Sequence, residues 1–132
     1  MLSSKDIREW IKTKHPDFDK YYVGKLDNKY QKAICIFSLQ TDNSVAIGGR
    51  DNTKTKKSDF SILIHYDKNY TTTEQYAQLL YDELSKVRQE EIGNYVIDYI
   101  ELDYGAPVDL HTDDNGVYER IIEFTIYYHE KS

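Results

Sequence analysis

Between residues 106 and 128 the sequence APVDLHTDDNGVYERIIEFTIYY places Asp109, Asp113 and Asp114 within six positions, beside His111. Carboxylates and an imidazole this close together are the donor set of a cation site or of acid–base chemistry. A calcium loop of the EF-hand type wants D-x-[DN]-x-[DN]-G, with a glutamate six residues after the glycine. Counting back from Gly116 puts Asn115 and Asp113 in ligand places, but the first place falls on His111 and the last on Ile122. Without its first acid and its bidentate glutamate such a loop loses most of its affinity. The same residues read better as a turn, because Asn115-Gly116 suits the positive φ of a tight reversal and a strand follows at once. A metal-dependent hydrolase using Asp109, Asp113, Asp114 and His111 stands as the enzymatic alternative.

The other reactive side chains form no motif. His15, His65, His111 and His129 show no i, i+4 pair on a helix, so a zincin arrangement is absent. Catalytic triads are spatial and escape a linear reading, but no G-x-S-x-G nucleophile elbow occurs. The stretch Ile47-Gly48-Gly49-Arg50 lacks the Gly-Lys-Ser/Thr of a phosphate loop and runs into a polar loop rather than a helix. The single cysteine, Cys35, lies in the apolar run AICIFSL and reads as a small core residue. It has no partner for an intrachain disulfide or a cysteine zinc site. The expectation is a protein that is not an enzyme and needs no cofactor.

The elements that must position these residues follow from hydrophobic spacing. Residues 3 to 14 read as a short amphipathic helix, with Ile7, Trp10 and Ile11 on one face and Ser3 with Asp6 close to a capping box. Pro16 ends it. Asp27-Asn28 reads as a hairpin or loose turn. Residues 33 to 39 form a nearly continuous apolar run that suits a strand covered on both sides, or on one side plus a partner chain. A shorter strand is expected at 45 to 49, then a polar loop from Arg50 to Ser58. Residues 59 to 66 alternate, with Phe60, Ile62, Ile64 and Tyr66 on one face and His65 on the other. The strongest helix spans 72 to 89, capped by Thr71 or Thr72, with a stripe of Tyr76, Ala77, Leu80, Leu84 and Val87 and with Gly93 as terminator. Two strands follow, at 95 to 102 with Tyr95, Ile97 and Tyr99 on one face, and at 118 to 128 with Tyr118, Arg120, Ile122, Phe124, Ile126 and Tyr128 on one face. The order implies one α+β domain over residues 1–132: a mainly antiparallel or mixed sheet of about five to six strands with two helices on one face.

Composition narrows the function. With 132 residues the chain can bury a real core. No stretch resembles a signal peptide, and no apolar run reaches the ~20 residues of a membrane span, so folding in a cytosol is expected. The net charge of −6 argues against general nucleic-acid binding. The 13 tyrosines suit core edges and interfaces, where a ring is buried while its hydroxyl stays wet. Charge is also segregated. Residues 50 to 57 carry Arg50, Lys54, Lys56 and Lys57 against Asp51 alone, whereas residues 101 to 119 carry six acids and no Lys or Arg. A charge run is usually a solvated face, but two complementary runs also fit the halves of a head-to-tail contact, which closes into a ring when the rotation allows.

The blocks VAIGGR (45–50), EQYAQLLYDEL (74–84) and PVDLHTDDNGVYERIIEFTIYY (107–128), with the strand between the first two, together resemble the minor capsid proteins of long-tailed bacteriophages and prophages. That family is related to tail-terminator, or tail-completion, proteins. The last block is the most specific: a proline, an Asp-Leu, an acidic Asn-Gly turn and an aromatic-rich closing strand. The family pattern has a glycine after the leucine, where this chain has His111. The resemblance covers most of the chain. It implies an α+β subunit that assembles into a ring, typically a hexamer, at the head-proximal end of the tail tube. There it would stop polymerisation of the tube protein and face the head connector or a head-completion protein. It also implies a place in the virion tail, after assembly in the bacterial host cytoplasm. Joined to the charge pattern, it gives candidate interface residues: Arg50, Lys54, Lys56 and Lys57 on the basic side, Asp109, Asp113 and Asp114 on the acidic side. A small binding module or anti-host factor, acting as monomer or dimer, is the alternative from another class.

Overall fold

The structure, a computed structural model, describes residues 1–39 and 55–131. The strand expected at 45 to 49, Arg50 and Lys54 lie outside the described residues. The elements run α1 (Ser4–Lys14), β1 (Lys20–Val23), β2 (Ala33–Leu39), β3 (Lys56–Asp67), α2 (Tyr70–Ser85), β4 (Glu90–Ile92), β5 (Tyr95–Leu102), β6 (Val108–Thr112) and β7 (Tyr118–Glu130). The strands form one mixed sheet in the order β1-β2-β3-β7-β5-β4, and β6 also pairs with β7. The α+β class and the placing of both helices on one side of the sheet agree with the sequence reading. The sheet gains β4 and β6, short segments with little alternation of their own, and reaches seven strands among the described residues.

Helix α1 starts as its sequence dictates. The Ser3 hydroxyl accepts from the Asp6 amide at 3.1 Å, and the Asp6 carboxylate accepts from the Ser3 amide at 2.9 Å. These bonds satisfy two amides that have no partner inside the helix. Ile7, Trp10 and Ile11 are buried, as their spacing requires. Helix α2 is capped by Asn69, which accepts from the Thr72 amide, rather than by Thr71 or Thr72. It ends at Ser85, four residues before the expected end. Lys86 forms the cap, and Gln89 then takes a φ of 55°, turning the chain into β4. Gly93, at φ 57°, serves the β4–β5 turn instead of ending the helix.

The core lies between the helices and the sheet. Ile7 and Ile11 of α1, with Ala77, Leu80 and Leu84 of α2, meet Ile34 and Ile36, Phe60, Ile62 and Ile64, and Ile122, Phe124 and Ile126. Each fully buried isoleucine contributes roughly 2 kcal/mol of apolar transfer. The apolar run of β2 is buried on both faces from Ala33 to Ile36, as expected. The turn expected at Asp27-Asn28 does not join a hairpin: β1 and β2 run parallel, and Asp27 accepts from the Lys29 amide within the connecting loop. In β5 the expected face of Tyr95, Ile97 and Tyr99 is broken by an irregularity between Ile97 and Tyr99. Ile97 and Ile100 both point into the core, so Tyr99 is turned to the opposite face.

Candidate functional site

The sheet face turned away from the helices carries the polar side chains, and its two ends differ. At one end stands His65, fully buried on β3. Its Nδ1 lies 2.7 Å from the Gln31 carbonyl oxygen, and its Nε2 lies 2.7 Å from Oδ2 of Asp113. Both neighbours are acceptors, and a neutral imidazole has only one N–H. Burial alone would lift the Asp113 pKa, but the bonds from His65 and from the Val117 and Asn115 amides outweigh it and hold the group below its ordinary value. Glu119, opposite His65 on β7, is pushed up by burial, drawn partly back by His65 and raised further by the charge of Asp113.

Asp113 is therefore paired inside the fold. Its Oδ1 accepts from Asn115 and Val117 at 2.9 and 3.0 Å, closing the turn that Gly116 completes at φ 79°. Positive φ falls on Gly116 but not on Asn115 within that turn. The neighbouring acids part company with it. Asp109, on β6, accepts from the His111 amide at 2.8 Å and lies 3.8 Å from Nη2 of Arg120. Asp114 is exposed. Three acids that are neighbours in sequence thus point to three different environments, and among the described residues no three His, Cys, Asp or Glu side chains converge on a metal-sized point. This geometry does not favour the hydrolase alternative.

His111 takes φ 65°, within an irregularity of the β6–β7 pairing. His111 thus holds a left-handed conformation that glycine adopts most readily. Left-handed backbone costs a side-chain-bearing residue roughly 1 kcal/mol.

Two further clusters are structural. His15 joins Glu83 and the Tyr76 hydroxyl, each at 2.6 Å, and so ties the end of α1 to α2. Arg120, on the helix side of β7, lies between Glu74 at 3.6 Å and Asp109, with the Tyr70 ring 5.1 Å away.

At the other end of the outer face, strand register assembles a group that the sequence scatters. Asp59, Thr125 and Glu101 stand side by side on β3, β7 and β5. Ser61 stands beside Glu123, and the Asp103 amide donates to the Glu123 carbonyl at 3.0 Å. Thr125 donates to the Asp59 carboxylate. Burial, then the charges of Asp59, Glu123 and Glu101, hold Asp103 above the ordinary carboxylate range. Next to them Tyr99 and Tyr127 stack with centroids 4.4 Å apart. Of the two basic candidates inside the described residues, Lys56 lies 3.4 Å from Glu130, and Lys57 stands in register with Tyr127 at the border of this face. In the sequence these acids are scattered over three segments, and they become a cluster only once the register is fixed.

The bacteriophage tail terminator protein model matches residues 1–130. The chain belongs to the bacteriophage tail terminator family. The terminator is accordingly a structural component in phage tail assembly, placed with the tail of the virion and interacting with other tail components. One solved structure aligns over 98% of this chain and 90% of its own at 16% identity, with a TM-score of 0.46, a likeness too slight to carry an argument. Among curated proteins none matches.

Proposed function

We propose that this protein, as one domain over residues 1–132, forms a ring, hexameric in keeping with the resemblance, that caps the head-proximal end of the tail tube. There it stops addition of tube protein and faces the head connector or completion protein. It assembles in the host cytoplasm and performs no catalysis. The observation that carries this reading is the family match over residues 1–130. A continuous sheet spanned by the twelve-residue β3 and thirteen-residue β7 supports it by providing a rigid plate for repeated contacts. Segregated charge favours register and partner choice in such contacts.

Deletion of the gene from its phage tests the reading. Electron micrographs should show tails of unregulated length or tails not joined to heads, and a plasmid copy should restore normal particles. Normal particles without the gene would refute it.

A further inference from the structure

We propose that the open end of the outer sheet face, formed by Asp59, Glu101, Asp103 and Glu123, receives the basic segment 50–57 of a second copy of this chain. The inference rests on the reading of the protein as an assembling terminator, and it moves the acidic half of the contact from the 109–114 turn to the sheet.

Three observations converge. Asp59, Glu123 and Glu101 stand on the neighbouring strands β3, β7 and β5, Asp103 directly follows β5, and none of the four forms an ion pair among the described residues. Burial first, and then the like charges of Asp59, Glu123 and Glu101, raise the pKa of Asp103, and a cationic partner relieves the repulsion among them. Beneath them Ser61 is 2% exposed, stands in register with Glu123, and has no hydrogen-bond partner for its Oγ among the described residues. A buried hydroxyl with free donor and acceptor capacity marks a place where another polar group belongs. At the border the stacked rings of Tyr99 and Tyr127 offer a π surface on which guanidinium or ammonium groups settle.

The chemistry of the occupant follows from the spacing. Strands lie about 4.8 Å apart, so carboxylates distributed over three of them match several side-chain cations along an extended segment rather than one ion. Residues 50–57 carry Arg50, Lys54, Lys56 and Lys57 with Asp51 as the one acid. Bidentate pairing to a carboxylate and stacking on tyrosine both suit Arg50.

Charge-swapped variants test this. E101K/D103K and K56E/K57E should each weaken self-association about tenfold in sedimentation velocity. An equimolar mixture of the two should recover it, because each reversed face then meets a reversed segment. Misfolded variants would not recover on mixing. In a mixture of isotopically light and heavy wild-type chains, carbodiimide should join lysines of 54–57 to Glu101, Asp103 or Glu123 across the two isotopes. Cross-links confined to single chains, absence of recovery on mixing, or a wild type that stays monomeric at all concentrations would each overturn the proposal. Phage carrying the swapped variants separate its failure from that of the terminator reading. Normal tails despite failed mixing would sink the contact alone, whereas normal tails without any copy of the gene would sink the terminator reading.

Discussion

The two ends of the outer sheet face use the same side-chain types for opposite purposes. At the closed end Asp113 faces a buried imidazole and two amides, so its charge is matched inside the fold. At the open end Asp59, Glu101, Asp103 and Glu123 lie near one another, and none of them forms an ion pair among the described residues. A matched buried charge holds a segment in place, and removing one partner leaves the other desolvated. Unmatched charges at an accessible face destabilise the isolated chain slightly and favour association with a cationic surface. Acidity alone therefore says little about role, and the partner within hydrogen-bond reach decides it.

The largest expected effect comes from breaking the closed end. Asp113→Ala should cost about 3 kcal/mol in chemical denaturation, because it leaves Nε2 of the buried His65 without its hydrogen-bond partner and removes the acceptor that closes the turn. A cost below about 1 kcal/mol would show that the turn is held by its backbone alone. Acidification should then separate the two ends. Asp113 has a depressed folded value, so its contribution is complete above its unfolded value near about pH 4 and is lost as pH falls through the lower folded value. Asp103 and Glu119 are displaced upward, chiefly by burial, so they bind protons first in the folded state. Stability should therefore rise as pH drops from neutral toward about 4.5, then fall below about 4. Asp103→Asn should flatten the rise and Asp113→Asn the fall; melting curves in which both arms survive both substitutions would contradict the assignment.

Smaller effects sharpen the contrast. Ser61→Ala should leave the isolated chain unchanged or stabilise it by up to about 1 kcal/mol, since it removes a buried hydroxyl without a partner. A loss above that would reveal a bond made by this hydroxyl in solution. His111→Gly should stabilise by about 0.5 to 1 kcal/mol, because glycine accepts φ 65° without the side-chain penalty. Melting temperature reads both, and a destabilised glycine variant would mean that the His111 side chain makes a contact worth more than its strain.

Period-2 and period-3.6 patterns make β3, β7, α1 and the stripe of α2 legible in the sequence, because each long element must bury one face against the others. The Ser3–Asp6 capping box is legible for the same local reason. Boundaries and short strands are not. The last residues expected in α2 go to the turn at Gln89 and to β4, and β6 is held by pairing with β7 rather than by its own alternation. The irregularity in β5 displaces Tyr99 from its expected face.

By itself the sequence determined the capping box of α1, the alternating strands, the acidic balance and a pattern resembling a phage tail protein, since these reside in neighbours along the chain. Only the tertiary structure decided which acids serve the fold and which face outward. Asp113 and His65 are 48 residues apart in sequence yet 2.7 Å apart in space, whereas Asp113 and Asp114 are adjacent in sequence and differ in environment. The physical reason is that a charge takes its role from the groups within a few ångströms of it, and strand register, not sequence proximity, selects those groups.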